Sequence, residues 1–355
     1  MVFYIVHAFT ERLFGGNPAG VVILNEDQDF PDSEICRKVA GELRYSETVF
    51  IKPYQSRPGH FYFRYFTPAE EVQLCGHATI GAFVALAQEG LVENTGDYSI
   101  ETLSGLLDIK MLDGFVRMAM GTPKILAPNF NQDQIDEIYK IMGSDSQYET
   151  LKPQIVSTGL PDIMLPLNSQ KKLHDLSPDF NALAKLSETY NVTGVHAFAL
   201  EGDDATAHTR NFAPLFDIDE EAATGTASGA LTFYLYTKGL IENHEECVFI
   251  QGEAMNRPST IRTSIHDARS DVSIDNIRSD SNGASKDCSS KDSHVNSKDM
   301  SDDRTKDISN ARTKNMSDDM TIDRSDSNLD SEDQIKIEVG GTAVVLATGK
   351  INIPQ

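Results

Sequence analysis

Short runs in which apolar and polar residues alternate are the commonest pattern along this chain. Such alternation is typical of β-strands with one buried face. It predicts strands at residues 3–9, 20–24, 48–52, 61–66, 98–102, 106–111, 116–120, 197–201 and 248–251. Apolar residues at helical spacing predict fewer helices, at residues 32–43, 77–89, 131–142 and 227–238. The pattern therefore predicts an α+β protein with long sheets and few helices.

The alternation stops near Ile265 and resumes at Ile335, and the segment between has a different composition. Residues 266–333 contain no Phe, Tyr or Trp, but 15 Ser, 17 acidic and 10 Lys or Arg residues. They also repeat short motifs, such as Ser-Lys-Asp at 285–287 and again at 290–292. A segment of this kind cannot bury enough apolar area to offset the entropy lost on ordering. We interpret it as a low-complexity, disordered insert between two strands of a sheet.

Two segments of the chain resemble each other at a constant offset of 149 residues. Residues 71–79, Glu-Val-Gln-Leu-Cys-Gly-His-Ala-Thr, align with residues 220–228, Glu-Glu-Ala-Ala-Thr-Gly-Thr-Ala-Ser. An internal repeat of this length predicts two similar halves, related by a pseudo-two-fold axis, with a cleft between them. We expect the halves to be residues 1–121 and 122–355, because the strand patterns give way to Thr-Pro directly after Gly121.

Composition narrows the possible partners and locations. The chain has 31 Lys and Arg against 54 Asp and Glu, a net charge of −23, which disfavours binding to nucleic acid or to an anionic membrane. Its four cysteines form no Cys-x-x-Cys pair, so we expect a reduced, cytoplasmic protein. We find neither a signal peptide nor a run of 18 apolar residues. The sequence also has neither a phosphate-binding loop motif nor two histidines spaced i, i+4 as in zinc proteases. We therefore predict no cofactor and no metal.

The two repeated segments present the same local chemistry, a glycine followed by a polar residue at the start of a helix. Glycine lets a ligand approach the backbone closely, and the first turn of a helix offers unpaired N–H groups at the positive end of the dipole. Gly76-His77 and Gly225-Thr226 are therefore candidate sites for a small carboxylate. In the alternative interpretation, Thr224 and Thr226 are simply helix N-caps.

Several short motifs, in this order and at this spacing, resemble those of the PhzF (phenazine-biosynthesis) family. They are His7-Ala8-Phe9-Thr10, Phe14-Gly15-Gly16-Asn17-Pro18-Ala19, Tyr45-Ser46-Glu47-Thr48, Phe66-Thr67-Pro68, Cys75-Gly76-His77-Ala78-Thr79 and Ala222-Ala223-Thr224-Gly225-Thr226-Ala227. The resemblance covers nearly all residues outside the insert. His7 stands where the family often has Asp before Ala-Phe.

The resemblance implies the diaminopimelate epimerase-like fold, in which two pseudo-symmetric domains each wrap a sheet around a central helix. It also implies a homodimeric, cofactor-independent isomerase of a biosynthetic process. In such an enzyme Glu47 would move the proton, and His77 and Glu221 would be the other catalytic residues. The positions implied to bind substrate are Gly76, Gly225, Thr226 and Cys75. Glu221 and Thr226 replace an Asp and a Ser of the phenazine enzyme, so the resemblance does not identify the substrate.

The mechanistic hypothesis is that Glu47 takes an acidic C–H proton from a small carboxylated metabolite and returns it at another position. Acting as both acid and base near neutral pH requires that burial raise the pKa of this carboxyl. Two alternatives remain open. In the first, Cys75 is the base of a one-base epimerase or dehydratase. A two-thiol racemase is disfavoured, because the residue that aligns with Cys75 in the internal repeat is Thr224 and not a second cysteine. In the second, the protein binds partners on the same fold without catalysis.

Overall fold

The structure is a computed structural model, and it describes residues 1–25, 27–54, 56–127, 129–145, 147–148, 150–202, 204–270 and 334–353. Within these residues the 18 strands form one continuously hydrogen-bonded sheet, accompanied by six α-helices. The predicted α+β character is therefore observed. In this part of the chain we find no helix with the length and apolar character needed to span a membrane.

The elements follow one another as strands with few intervening helices. Those preceding residue 127 are β1 (Val2–Ala8), β2 (Asn17–Ile23), α1 (Ser33–Leu43), β3 (Thr48–Pro53), β4 (His60–Phe66), β5 (Glu71–Val72), α2 (Gly76–Gln88), β6 (Gly96–Thr102), β7 (Gly105–Leu112), β8 (Phe115–Ala119) and β9 (Lys124–Leu126). The later ones are α3 (Gln132–Ile141), β10 (Gln154–Ser157), β11 (Pro161–Leu167), α4 (Gln170–His174), α5 (Phe180–Tyr190), β12 (Gly194–Ala199), β13 (Ala207–Ala213), β14 (Ile218–Glu221), α6 (Gly225–Thr237), β15 (Glu246–Gln251), β16 (Ser259–Asp267), β17 (Ile335–Gly341) and β18 (Ala343–Lys350).

Helices α2 and α6 are the two buried helices, and each is surrounded by strands. Both are apolar on nearly every side, which is the pattern of a helix enclosed in a core. Strands β1, β2, β3 and β18 pack on α2, whereas β10, β11, β16 and β17 pack on α6. The two helices also contact each other. They begin at Gly76 and Gly225, the glycines of the internal repeat.

The end of the chain returns to its beginning. Strand β18 pairs antiparallel with β1, from Val2 opposite Lys350 to Ala8 opposite Ala343. Strand β17 pairs antiparallel with β8. The strands around α2 therefore include one from the C-terminal end, and the division of the chain at residue 121 stays a prediction.

Strand β16 is longer than the apolar pattern predicts. It continues through His266 to Asp267, which pairs with Ile335 of β17, so these two residues are not part of an insert. The strand extends because Asp267 is buried and accepts hydrogen bonds from Tyr236 and Arg269, which replace apolar packing there. Residues 271–333, most of the predicted insert with its Ser-Lys-Asp repeats, lie outside the described residues.

Candidate active site

The three acid–base candidates of the sequence analysis lie together. Nε2 of His77 is 3.3 Å from Oε2 of Glu47, and its Nδ1 is 3.8 Å from Oε1 of Glu221. The side chains of His77, Glu47 and Glu221 are only 5, 13 and 16% exposed. One imidazole is thus positioned between two carboxyl groups that lie far apart in the sequence.

Each of these side chains lies at the end of a regular element. Glu47 precedes β3, and its carbonyl accepts a hydrogen bond of 3.1 Å from the backbone of Gly20, which extends the pairing of β2 with β3. His77 is in the first turn of α2, and Glu221 is the last residue of β14. Because strand pairing and helix packing hold these ends in place, the site is held by the core rather than by a long loop.

The helix starts at Gly76 and Gly225 are not capped by side chains. Cys75 and Thr224 occupy the N-cap positions with extended backbone, but neither side chain bonds to the first turn. The hydroxyl of Thr224 instead donates to Oε2 of Glu221 over 2.9 Å. The interpretation of Thr224 as a simple N-cap is therefore wrong, and the N–H groups of both first turns have no capping side chain.

Thr226, the other hydroxyl candidate, lies in the first turn of α6 and is half-buried. Its carbonyl accepts a hydrogen bond of 2.9 Å from the hydroxyl of Thr158. Its own hydroxyl makes no hydrogen bond to the described residues. Thr226 is thus the candidate substrate-binding residue whose side chain is left available.

Asn17 is a member of the site that the sequence analysis did not single out. Its Nδ2 lies 3.1 Å from Nδ1 of His77, 3.0 Å from Oε1 of Glu221 and 2.9 Å from the carbonyl oxygen of Ala223. The residue is buried, at the first position of β2. Asn17 therefore connects the α2 side of the site to the β14 side. The signal in the sequence was its place in the Phe14–Ala19 motif.

Gln251 is a second residue that the sequence analysis missed. It is fully buried at the end of β15, and its Nε2 donates to the carbonyl of Glu221 over 2.7 Å and to the hydroxyl of Thr224 over 3.1 Å. Its Oε1 accepts from the backbone N–H of Thr224 over 3.1 Å. This one amide group holds the turn between β14 and α6, and so orients the carboxyl of Glu221.

The pKa of Glu47 is lowered in the structure, whereas the sequence analysis expected burial to raise it. Burial raises the pKa of Glu47, but the hydrogen bond and positive charge of His77 outweigh it, so that the pKa lies below its ordinary value. Burial lowers the pKa of His77, whereas Cys75 and Glu47 raise it well above its ordinary value. Near neutral pH the two therefore form an ion pair.

Glu221 differs from Glu47. Its pKa is raised, first by burial and also by the negative charge of Glu47, although the charge of His77 acts in the opposite direction. Of the two carboxyl groups beside His77, Glu221 is consequently the one that more readily holds a proton.

Cys75 lies against the ion pair. Its Sγ is 3.4 Å from Nδ1 and 3.7 Å from Nε2 of His77. Burial and then the charge of Glu47 raise the pKa of this thiol to about 11, which keeps it neutral near pH 7. Atoms of Glu47, Cys75 and His77 that could bind a metal lie within 4.8 Å of one another, but the thiol would first have to lose its proton.

Comparison with known proteins gives concordant results. A family model described as phenazine biosynthesis-like protein, PhzC-PhzF, matches residues 6–279. The chain is 35% identical over 274 residues to an uncharacterized isomerase of Clostridium acetobutylicum, covering 74% of this chain and 89% of that protein. It is 30% identical over 274 residues to the uncharacterized isomerase YfhB of Bacillus subtilis, covering 75% and 91%.

Solved structures show the same architecture. A phenazine biosynthesis protein of the PhzF family from Bacillus anthracis is similar with a TM-score of 0.73 and 22% identity, over 99% of both chains. A probable proline racemase from Agrobacterium radiobacter is similar with a TM-score of 0.55 and 12% identity, over 99% of this chain and 93% of that one. These likenesses confirm the predicted fold class.

Proposed function

Because the chain belongs to the phenazine biosynthesis-like (PhzC-PhzF) family and is an isomerase, we propose that it moves a proton on a small carboxylated metabolite, with Glu47 as general acid and base. One observation supports this assignment above the others. Glu47 is only 13% exposed, and its Oε2 is paired with Nε2 of His77 over 3.3 Å, an interaction that lowers the pKa of the carboxyl group. A buried carboxylate that is held ionised in this way is suited to receive a substrate proton.

In the proposed reaction, ionised Glu47 takes the proton of an acidic C–H bond. The electron pair of that bond is delocalised into the conjugated system of the substrate, and Glu47 then delivers a proton, which can exchange with solvent while it is held on the carboxyl group, to another carbon. No redox change occurs, and the enzyme ends in its starting state. His77 keeps Glu47 ionised beforehand, and Asn17, beside the imidazole, donates hydrogen bonds to Glu221 and to the carbonyl of Ala223.

The substrate carboxylate would bind at the uncapped first turns of α2 and α6. Their N–H groups lie at the positive ends of two helix dipoles, and the hydroxyl of Thr226 adds a donor. Gly76 and Gly225 allow a ligand to approach this backbone. Glu221 would hold or release a proton near the bound anion, because its pKa is raised.

The proposal is tested by deuterium incorporation from heavy water into a panel of small cyclic and amino carboxylates, measured by mass spectrometry. Glu47→Gln removes the base but keeps the shape of the side chain, so we expect exchange to fall by about 10²- to 10⁴-fold. Cys75→Ala is the matched control within the same cluster and should retain exchange. Both variants are compared with the wild type by thermal unfolding, to confirm that they fold.

Other outcomes decide between the alternatives. Full exchange in Glu47→Gln would refute the proposal, and loss of exchange in Cys75→Ala alone would assign the chemistry to the thiol. Binding of a carboxylate by the wild type without any exchange would favour a non-catalytic binding protein.

A further inference from the structure

Asp162 is a buried acid that the proposed mechanism does not use. It lies in β11 and is 1% exposed. Its Oδ1 is inaccessible to solvent and has no hydrogen-bond partner among the described residues. Because an unpartnered buried carboxylate oxygen is costly, such a group is rare and calls for a physical explanation.

The sheet brings Asp162 close to the catalytic cluster. On the neighbouring strand β12, Asp162 is opposite Gly194, which has no side chain. A Cβ at that position would lie 1.8 Å from the carbonyl oxygen of Phe212 in β13, so only glycine fits. The carboxyl group of Asp162 accepts hydrogen bonds from the backbone of Gly194 and from the amide of Asn211 in β13. Asn211 is in turn directly opposite Glu221 in β14.

The groups that face Asp162 include an acid but no cation. Strand β14 contributes Glu221, β13 contributes the neutral amide of Asn211, and β12 contributes the backbone of Gly194. Nδ1 of His196, also in β12, is 3.3 Å from Nδ2 of Asn211, and burial lowers the pKa of this imidazole to about 3. His196 is therefore neutral as well. Among the described residues, Glu221 is thus the charge that Asp162 meets.

Two carboxyl groups in one buried polar row, with no cation between them, cannot both ionise without a large electrostatic cost. Burial and then the charge of Glu221 raise the pKa of Asp162 to about 7. The pKa of Glu221 is raised as well. The row therefore retains one proton at a pH where ordinary carboxyl groups have none.

We propose that Asp162 is a positioning residue that sets the charge behind the substrate-carboxylate site, the carboxyl groups of Asp162 and Glu221 titrating as a coupled pair across Asn211. While Asp162 holds a proton, Glu221 is free to ionise beside His77. When Asp162 ionises at higher pH, both carboxyl groups are charged, and the added negative charge lies behind the site for the substrate carboxylate. Isomerisation therefore declines on the alkaline side through Asp162, a residue that touches no substrate.

The titration itself is measurable without any substrate. Carbon-13 labelling of Asp and Glu side-chain carboxyls, followed by NMR between pH 3 and 9, reports the ionisation of each group. We expect one Asp signal titrating near pH 7 that disappears in Asp162→Asn, and a Glu221 signal that titrates at lower pH and is little changed in that variant, because Asp162 is still protonated when Glu221 ionises. The Glu221 signal is identified by its loss in Glu221→Gln.

The charge of Glu221 is one of the causes that raise the pKa of Asp162. Glu221→Gln should therefore lower the pKa of Asp162, a test that remains available if Asp162→Asn does not fold. Asp267→Asn is the matched control, since Asp267 is the other buried Asp among the described residues and bonds to Arg269 instead. It should leave both titrations unchanged. An Asp162 pKa that is unaltered in Glu221→Gln would overturn the inference.

The effect on turnover rests on the proposed function and is measured separately. In a pH profile of deuterium exchange, Asp162→Asn should retain activity above pH 7, where the activity of the wild type declines. The ratio of kcat/KM at pH 9 to kcat/KM at pH 6 should be at least tenfold higher in the variant than in the wild type. An unchanged alkaline limb would overturn this part. If no exchange is found with any substrate, the proposed function fails while the NMR titration still decides whether the two carboxyls are coupled.

Discussion

Asn17 contributes a single amide nitrogen to three contacts, with His77, Glu221 and the carbonyl of Ala223. An amide nitrogen has two hydrogens, so at most two of these contacts are hydrogen bonds at one time. The amide can therefore remain bonded while the proton distribution between the imidazole and the carboxyl changes. No aliphatic side chain of similar size can do this.

The variant Asn17→Ala should consequently impair catalysis more than folding. We expect deuterium exchange to fall by about 10- to 100-fold, because Glu221 loses a hydrogen-bond donor beside His77, and stability to fall by about 1–3 kcal/mol, because buried acceptors are left unpaired. Urea unfolding and the exchange assay measure the two effects.

Asn131→Ala is the control for this substitution. Asn131 caps α3 away from the site, where its side chain accepts from the backbone of Gln134 over 3.0 Å. Its loss should cost about 1 kcal/mol of stability and leave exchange unchanged. Equal losses of exchange in the two variants would mean that Asn17 acts only through stability.

The site residues divide into those that a sequence can indicate and those that it cannot. Glu47, His77 and Glu221 stand in recognisable motifs, and the structure brings them together. Asn211 and Asp162 are isolated polar residues in strands, and their partners depend on which strands pair and in what register. The sequence analysis also expected a raised pKa for Glu47, whereas the pKa is lowered. The sequence does not reveal how close His77 lies to this carboxyl group.

At the scale of elements, the helices of the sequence analysis were found within a few residues, since their apolar spacing is regular. Strands β11 and β12 were missed or shortened because nearly all of their side chains are buried on both faces, against α6 on one side and α3 to α5 on the other, so no alternation remains. Helix α5 was missed although Asp179 caps it, with its side chain accepting from Ala182.

The packing of α2 on β1 makes a prediction at this scale. A Cβ on Gly81 would lie 2.2 Å from Cγ2 of Val6, so Gly81→Ala should force the helix and strand apart and destabilise the protein by about 1–3 kcal/mol. Adding Val6→Ala should recover part of the loss. Thermal unfolding of the single and double variants measures both effects.

Gly41→Ala provides the comparison, since it makes the same change in helix α1. There the new Cβ would be 3.9 Å from Cβ of Pro68, an ordinary contact, and the higher helix propensity of alanine should stabilise by up to about 1 kcal/mol. If Gly81→Ala were as well tolerated as Gly41→Ala, helix α2 would not pack as closely on β1 as described.

At the scale of the whole molecule, the segment 271–333 is expected to be dispensable for the fold. Asp267 and Ile335 already pair across β16 and β17, so removing residues 271–333 leaves a short connection of Ala268, Arg269, Ser270 and Gln334. Such a loop is long enough to close a hairpin. We expect the deletion variant to retain its cooperative unfolding and its exchange activity.

Circular dichroism melting and the deuterium exchange assay check this prediction. A loss of cooperative unfolding would mean that the segment contributes to the core. Retained folding with lost exchange would instead assign the segment a role at the site. The homodimer and the two-domain division at residue 121 stay predictions at the same scale, and size-exclusion chromatography with light scattering tests the first.

The pairing of β1 with β18 and of β8 with β17 has a consequence for synthesis on the ribosome. Residues 1–121 emerge with the strand edges that will receive β17 and β18 still open, and these edges stay open until the last strands leave the exit tunnel. Contacts between such distant parts of a chain form slowly, and open edges are prone to pair with other chains. The sheet around α2 is therefore completed only after residues 335–350 have been synthesised, and its unpaired edges are exposed until then.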